Sequence, residues 1–302
     1  LKPNAALILA TASGVTANVL LGASSLYWKE LGSIAPQTLV AYRVLVSLLT
    51  LLPLMWAAGL LRPLRTKVTR RVIALHAAAS VLVATNWGTF IWASIHGHVV
   101  ESGLGYLVAP CIAITLGILV YGERAGPWRV AALTVIAGAI CLLLTHSGEL
   151  NHRVYLIIGL TWGLYAWLKK MTPLDAFSGL LLETLALAMA CAVLLAASQL
   201  TLSLPAGLDR WTYYLLAACG VVSLLPLALF AFAANRLPLM AMGFLQFVLP
   251  TTQLVIAIGI YRQSVSPTTL LIFGAIWLAL IAMVLGPLVF RSQTVAARRS
   301  ER

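Results

Sequence analysis

The sequence predicts an all-α integral membrane protein with ten transmembrane helices arranged as two inverted five-helix repeats. Three observations lead there. The 302 residues are 61% hydrophobic and only 9% charged, with a mean hydropathy of +0.98, where a soluble domain carries roughly a quarter charged residues. Ten apolar stretches fill the chain, each close to the roughly 20 residues that cross a hydrocarbon core about 30 Å thick. These stretches form two sets of five related by a constant offset of 140 residues. Because five is odd, two like sets in series must enter the membrane from opposite sides, which is how many secondary transporters are built.

The first set covers 5–28, 37–60, 72–95, 102–121 and 127–145, within a unit at 1–146. The second covers 153–169, 175–198, 211–234, 239–260 and 268–290, within a unit at 147–290, and a basic tail follows at 291–302. The offset is marked by residues that rarely coincide by chance: Phe90 with Phe230, Gly103 with Gly243, Pro110 with Pro250, Tyr121 with Tyr261 and Pro127 with Pro267. The first stretch is long and has no clear cleavage site, so it reads as a span and not as a leader.

Net charge is +12, yet its distribution does not suit nucleic acid. With alternate connections assigned to opposite sides, fifteen basic residues fall on one side and four on the other, with Arg43 inside a span. By the positive-inside rule this predicts a bacterial-type inner membrane protein with both termini cytoplasmic. Cys111, Cys141, Cys191 and Cys219 all lie in spans and read as packing residues.

Taken in order, the first span carries a stripe of Thr11, Gly14, Asn18, Gly22 and Ser25. The second holds Arg43, and the third holds His76, Ser80, Asn86 and Trp87. Glu101 opens the fourth, whose face Gly103, Tyr106, Pro110, Ala113 and Gly117 corresponds by the offset to Gly243, Gln246, Pro250, Gln253 and Ala257 of the ninth. The sixth carries Trp162, Tyr165 and Lys169, the seventh Glu183, and the eighth Pro226. The fifth and tenth are nearly featureless and read as peripheral, suited to packing or to a weak homodimer.

A face of glycine, proline and amides suits a bundle interior better than lipid. It therefore reads either as a cavity lining or as a close helix seam. Spans one, three, four, six, eight and nine are expected to line the interior. The expected substrate-binding residues are Asn18, His76, Asn86, Trp87, Tyr106, Trp162, Tyr165, Gln246 and Gln253, because aromatic faces suit flat or cationic groups and buried amides need partners. Gly103, Pro110, Pro226, Gly243 and Pro250 are expected to hinge or gate, since a mid-span proline removes a backbone hydrogen bond. Arg43, Glu101 and Glu183 are expected to be charged structural or gate residues. Arg43 and Glu183 are equivalent by the offset, but they lie at depths roughly 15 Å apart by helical rise and are not expected to pair. His96, His98 and Glu101 form too small a group for a metal site, so no metal and no cofactor is expected. The sequence contains no GxSxG, HExxH or P-loop motif, which argues against an enzyme.

Longer runs carry a family resemblance. NWGTFIWA from Asn86 to Ala93, ESGLGYLVAP from Glu101 to Pro110, YGER from Tyr121 to Arg124, AANRL from Ala233 to Leu237 and GFLQFVLPT from Gly243 to Thr251 resemble the EamA-type drug/metabolite transporter superfamily, specifically its RarD-like branch. The resemblance implies a ten-helix inverted-repeat fold that moves small metabolites, often outward. Trp162 and Tyr165 resemble YddG-type amino-acid exporters, whereas Ala109 stands where those carry a tryptophan before the proline. The implied function is export of small metabolites, amino acids first among them, by alternating access and facilitated diffusion. The alternative is an exporter of drugs or other small metabolites, with proton coupling as an option.

Overall fold

The structure is a computed structural model that describes residues 3–121, 126–146, 148–234, 236–237 and 245–282. Gly243 therefore lies outside the described residues, as does the 291–302 tail.

Helices α1 (Pro3–Glu30), α2 (Pro36–Ala57), α3 (Leu61–Lys67), α4 (Arg70–Ile95), α5 (Val99–Tyr121) and α6 (Pro127–His146) are followed by α7 (His152–Lys170), α8 (Ala176–Ala196), α9 (Arg210–Ala234), α10 (Val248–Gly259) and α11 (Pro267–Ala282). Local chemistry sets many of their starts. Proline opens α2, α6 and α11, where a missing N–H costs nothing. The Thr69 hydroxyl accepts the Val72 N–H ahead of α4, and Asp175 accepts the Ser178 N–H ahead of α8. Both are side-chain caps that satisfy one otherwise orphaned donor.

Two elements differ from the sequence reading. The α2–α4 connection contains the short helix α3, which buries Leu64 and carries Arg62, Arg65 and Lys67. The described part of the ninth stretch becomes a continuous helix only at Val248, and Gln246 stands in an exposed turn before it. Pro250 has no N–H to donate to the carbonyl four residues back, that of Gln246, so the bond that would extend the helix back to Gln246 is missing. Gln246 therefore does not share a helical face with Gln253.

Five described helices are long and apolar enough to cross a membrane, and α6, α10, α11 and the Val99–Ile112 part of α5 are shorter apolar helices. Their outward faces are greasy: Leu49, Trp56, Leu119 and Leu271 are each about three-quarters exposed. Such apolar surface is matched to lipid. The chain is an all-helical, multi-pass membrane protein.

Short connections make successive helices antiparallel. The end that carries α3 and the α7–α8 turn is called the basic end here. At the centre, α1 packs on α9, α10 and α4, while α7 packs on α5 and α4; α2 packs on α9 and α8, and α4 on α8. Glycines allow the closest approaches. A Cβ at Gly105 would stand 2.7 Å from Ile158, and one at Gly163 2.7 Å from Ile112, which fixes the α5–α7 seam. Gly22 lies against Leu249 and Thr252 in the same way across α1–α10. Helices α6 and α11 share a cluster with α5, including Ile136, Leu143, Phe273 and Ile276.

Candidate functional site

The densest polar cluster lies near the basic end, where α4, α7 and α8 meet. Glu183, two turns into α8, is fully buried. Its Oε1 accepts from His76 Nδ1 at 2.7 Å and from Lys169 Nζ at 2.9 Å, and its Oε2 accepts from the Tyr165 hydroxyl at 2.9 Å. The far nitrogen of His76 meets the Thr172 hydroxyl at 3.0 Å. A buried carboxylate is tolerable only with such charge-assisted partners. Space for the cluster comes from Gly179, one turn before Glu183, since a Cβ there would collide with Lys169 and His76.

From this cluster a ladder of rings climbs along α7 and across to α5 and α4. Tyr165 stacks on Trp162 at 5.4 Å, Trp162 meets Tyr106 edge-on at 5.8 Å, and Tyr106 meets Phe90 at 6.2 Å. Asn86 is locked beside it: its Oδ1 accepts from the Tyr106 hydroxyl at 2.9 Å, and its Nδ2 donates to Thr161 Oγ1 at 3.1 Å and to the Ile158 carbonyl. Asn86 thus ties α4, α5 and α7 together, the helix-bonding role that an intramembrane amide commonly takes.

Arg43, on α2, is buried without any such set of partners. Its guanidinium lies 4.0 Å over the Trp87 ring and 5.3 Å from that of Trp28. Its Nε meets no acceptor.

A second carboxylate is buried at the opposite end. Glu101 accepts from His98 Nδ1 at 2.8 Å, from the Asn151 N–H at 3.1 Å and from Gln263 Nε2 at 2.7 Å. Gln263 Oε1 in turn accepts the Val99 and Val100 N–H groups. The carboxylate therefore joins the start of α5 to the α6–α7 and α10–α11 connections, a wider role than complementing its own helix terminus. His96 and His98 stack on Trp92 at 4.5 and 5.2 Å, and no metal-ligating group of three is found among the described residues.

The structure brings His76, Tyr165 and Glu183 into one cluster, Asn86, Tyr106 and Trp162 into the ladder above it, and Trp87 against Arg43. The remaining expected residues stand apart. Asn18 donates to the Gly14 carbonyl of its own helix. Gly103 lies against the Pro250 carbonyl and the Gln253 side chain, so at that level the α5 and α10 stripes form a close seam. Gln253 is fully buried with neither amide atom paired. Pro110 and Pro226 sit inside continuous helices. Sequence reasoning missed Thr172, Gly179 and Gln263. Lys169 had a signal, being four residues beyond Tyr165 on one helical face.

A cleft of about 990 Å³ opens between α2, α4, α7 and α8, lined on α2 by Val40, Ala41 and Val44 and on α4 by Ala84, Gly88 and Trp92.

A lipid-matched helical exterior around a charged and aromatic interior defines the class of an integral membrane protein with a polar core. No protein-family model matches the chain. It is 32% identical over 270 residues to the uncharacterized transporter YojE of Bacillus subtilis, covering 87% of this chain and 89% of that one. It is 35% identical over 271 residues to the uncharacterized transporter PA0485 of Pseudomonas aeruginosa, covering 88% and 90%. Protein RarD of Escherichia coli is 29% identical over 284 residues, covering 93% and 95%. A solved crystal structure superposes with a TM-score of 0.59 at 17% identity, over 91% of this chain and 97% of the other, a likeness of fold alone. The chain belongs to the RarD-like transporter family.

Proposed function

We propose that this protein is a ten-helix carrier of two inverted halves that exports small metabolites, amino acids first among them, by alternating access. The observation that carries the reading is mirrored packing. Shifted by 140 residues, α1, α2, α4, α5 and α6 fall on α7, α8, α9, α10 and α11, and the starts of α2, α4 and α6 at 36, 70 and 127 fall on 176, 210 and 267. The contacts follow the same shift: α1 on α9 and α10 answers α7 on α4 and α5, and α2 on α9 answers α8 on α4. Two like halves that exchange partners in this way are suited to rocking about a shared centre. The basic connections favour cytoplasmic termini, and membership of the EamA-type superfamily is part of the same reading.

The ladder of Tyr106, Trp162 and Tyr165, with Trp87 beside Arg43, offers aromatic faces to a small amphipathic solute, and Asn86 holds the ladder in place. Facilitated diffusion needs nothing further. Counterflow in proteoliposomes tests the carrier: vesicles preloaded with unlabelled amino acids are expected to take up labelled threonine, methionine or phenylalanine without an ion gradient, and Trp162→Ala is expected to abolish the exchange. Absence of exchange for every amino acid in vesicles holding folded protein refutes the amino-acid reading.

The His76–Glu183–Lys169 cluster favours a second reading, proton-coupled export, because ionisable groups inside a membrane bundle commonly form proton relays. Uptake driven by an imposed pH gradient and lost in Glu183→Gln would establish it in place of facilitated diffusion.

A further inference from the structure

An isolated charge inside a membrane bundle is costly, and such charges are normally paired or face a polar pathway. Arg43 is 7% exposed, lies about two turns into α2, and makes no hydrogen bond or ion pair among the described residues; its Nε is enclosed without an acceptor. Four other helices surround it. Trp28 of α1 and Trp87 of α4 cover its faces, and Tyr27 of α1, Tyr106 of α5 and Cys219 of α9 lie within reach of its charge. One turn further along α2, the Ser47 hydroxyl is also buried without a partner.

This arrangement is incomplete. The aromatic rings lie beside the guanidinium, but none of its N–H donors meets an acceptor among the described residues, and Nε is enclosed. Glu183, saturated by three donors of its own, does not serve it. A planar fork of this kind matches a carboxylate in two parallel hydrogen bonds. A single guanidinium neutralises one negative charge, which fits a monocarboxylate better than a phosphate carrying nearly two. The cleft between α2, α4, α7 and α8 is lined by Val40, Ala41 and Val44 of α2 and by Ala84 and Gly88 of α4, so Arg43 and Trp87 sit on the two helices that wall it, on faces turned away from the lining.

We propose that Arg43 is the anion-recognition group of the transport site and that the transported solute carries a carboxylate, held by the Arg43 fork with its apolar body against Trp28, Trp87 and Tyr106. The proposal rests on the carrier reading and names the substrate class for it. Amino acids and simple organic acids share this chemistry, so both are probed.

The test uses the full chain in detergent micelles. Thermal unfolding is followed with acetate, phenylacetate and phenylalanine, with phenylacetamide as the uncharged shape match of phenylacetate, and with sodium chloride at equal ionic strength. At least one carboxylate is expected to raise Tm saturably, with neither phenylacetamide nor chloride doing so. Arg43→Met is expected to weaken that response more than tenfold. Arg43→Lys keeps the charge without the fork and is expected to weaken it about tenfold; it also serves if Arg43→Met fails to fold. An equal response to phenylacetamide, a response to chloride alone, an unchanged response in both variants, or no response to any carboxylate overturns the proposal. Carboxylate binding through Arg43 without counterflow of any solute sinks the carrier reading and leaves the anion site standing. Counterflow that proceeds unchanged in both Arg43 variants sinks the anion site and leaves the carrier standing.

Discussion

Arg43 and Glu183 stand 140 residues apart, at matching places in α2 and α8, and each is buried. Their surroundings are opposite. Glu183 holds three donors within 2.9 Å from two neighbouring helices, whereas Arg43 has only ring faces. Position in the bundle therefore does not fix the role of an intramembrane charge; the partners do. A saturated carboxylate is a latch, because removing it strands its donors. An unsaturated guanidinium is an open valence.

The sharpest way to break this comparison is to delete each charge and measure stability in micelles. Glu183→Ala leaves Lys169 and His76 without their acceptor and is expected to cost about 3–5 kcal/mol. Arg43→Met removes a charge that has no acceptor to strand and is expected to change stability by no more than about 1 kcal/mol in either direction, since apolar replacement of a buried charge is often neutral. Equal losses at the two sites would show that Arg43 is as structural as Glu183.

Crowding the latch comes next. Gly179→Val places side-chain atoms where Lys169 and His76 lie and is expected to cost about 2–3 kcal/mol, as overpacking of a filled site does. A loss within error of zero would mean that the α4–α7–α8 junction is looser than described. Tyr165→Phe probes one arm of the latch: it removes a single hydrogen bond to the carboxylate and is expected to cost about 1.5 kcal/mol, with the ring ladder to Trp162 retained. Thermal unfolding against the parent checks both.

The smallest effect concerns a carboxylate outside the bundle that keeps its charge by hydrogen bonds alone. Exposed Glu149 accepts from the Ser266 and Thr269 hydroxyls, each at 2.6 Å. Those bonds, Ser266 first, lower its pKa from 4.5 to about 2. A depressed carboxylate contributes its stability above the ordinary value and loses it as pH falls through about 2. NMR titration of Glu149 is expected to show the low midpoint in the parent and a rise toward the ordinary value in Ser266→Ala.

Much of the fold was readable because the signals are local. Span length, the proline at Pro36, Pro127 and Pro267, and the capping residues Thr69 and Asp175 act within a turn or two of the elements they define. The aromatic face of Trp162 and Tyr165 followed from helical spacing, and the structure joins it to Tyr106 as stacked and edge-on rings. Readings failed where a local rule met a stronger one. Gln246 looked like a helical partner of Gln253 by spacing, yet Pro250 removes the bond that would have held it in the helix. Glu101 is expected from the sequence only as a charged structural or gate residue, and the fold alone brings Gln263, distant in sequence, to its carboxylate. The Gly103 stripe, expected to line a cavity or pack as a seam, packs against Pro250 and Gln253.

Read along the chain alone, hydropathy, capping and proline mark the apolar segments suited to a membrane and where most helices begin, because these signals act within a turn or two. Tertiary structure alone decided which charges are matched. His76 and Glu183 are 107 residues apart and meet only because α4 and α8 pack at one depth and one rotation, with Gly179 leaving room between them. The same packing turns Arg43 toward Trp28 and Trp87 and away from any carboxylate, and no spacing rule carries that information, because it depends on how separate helices are rotated against one another.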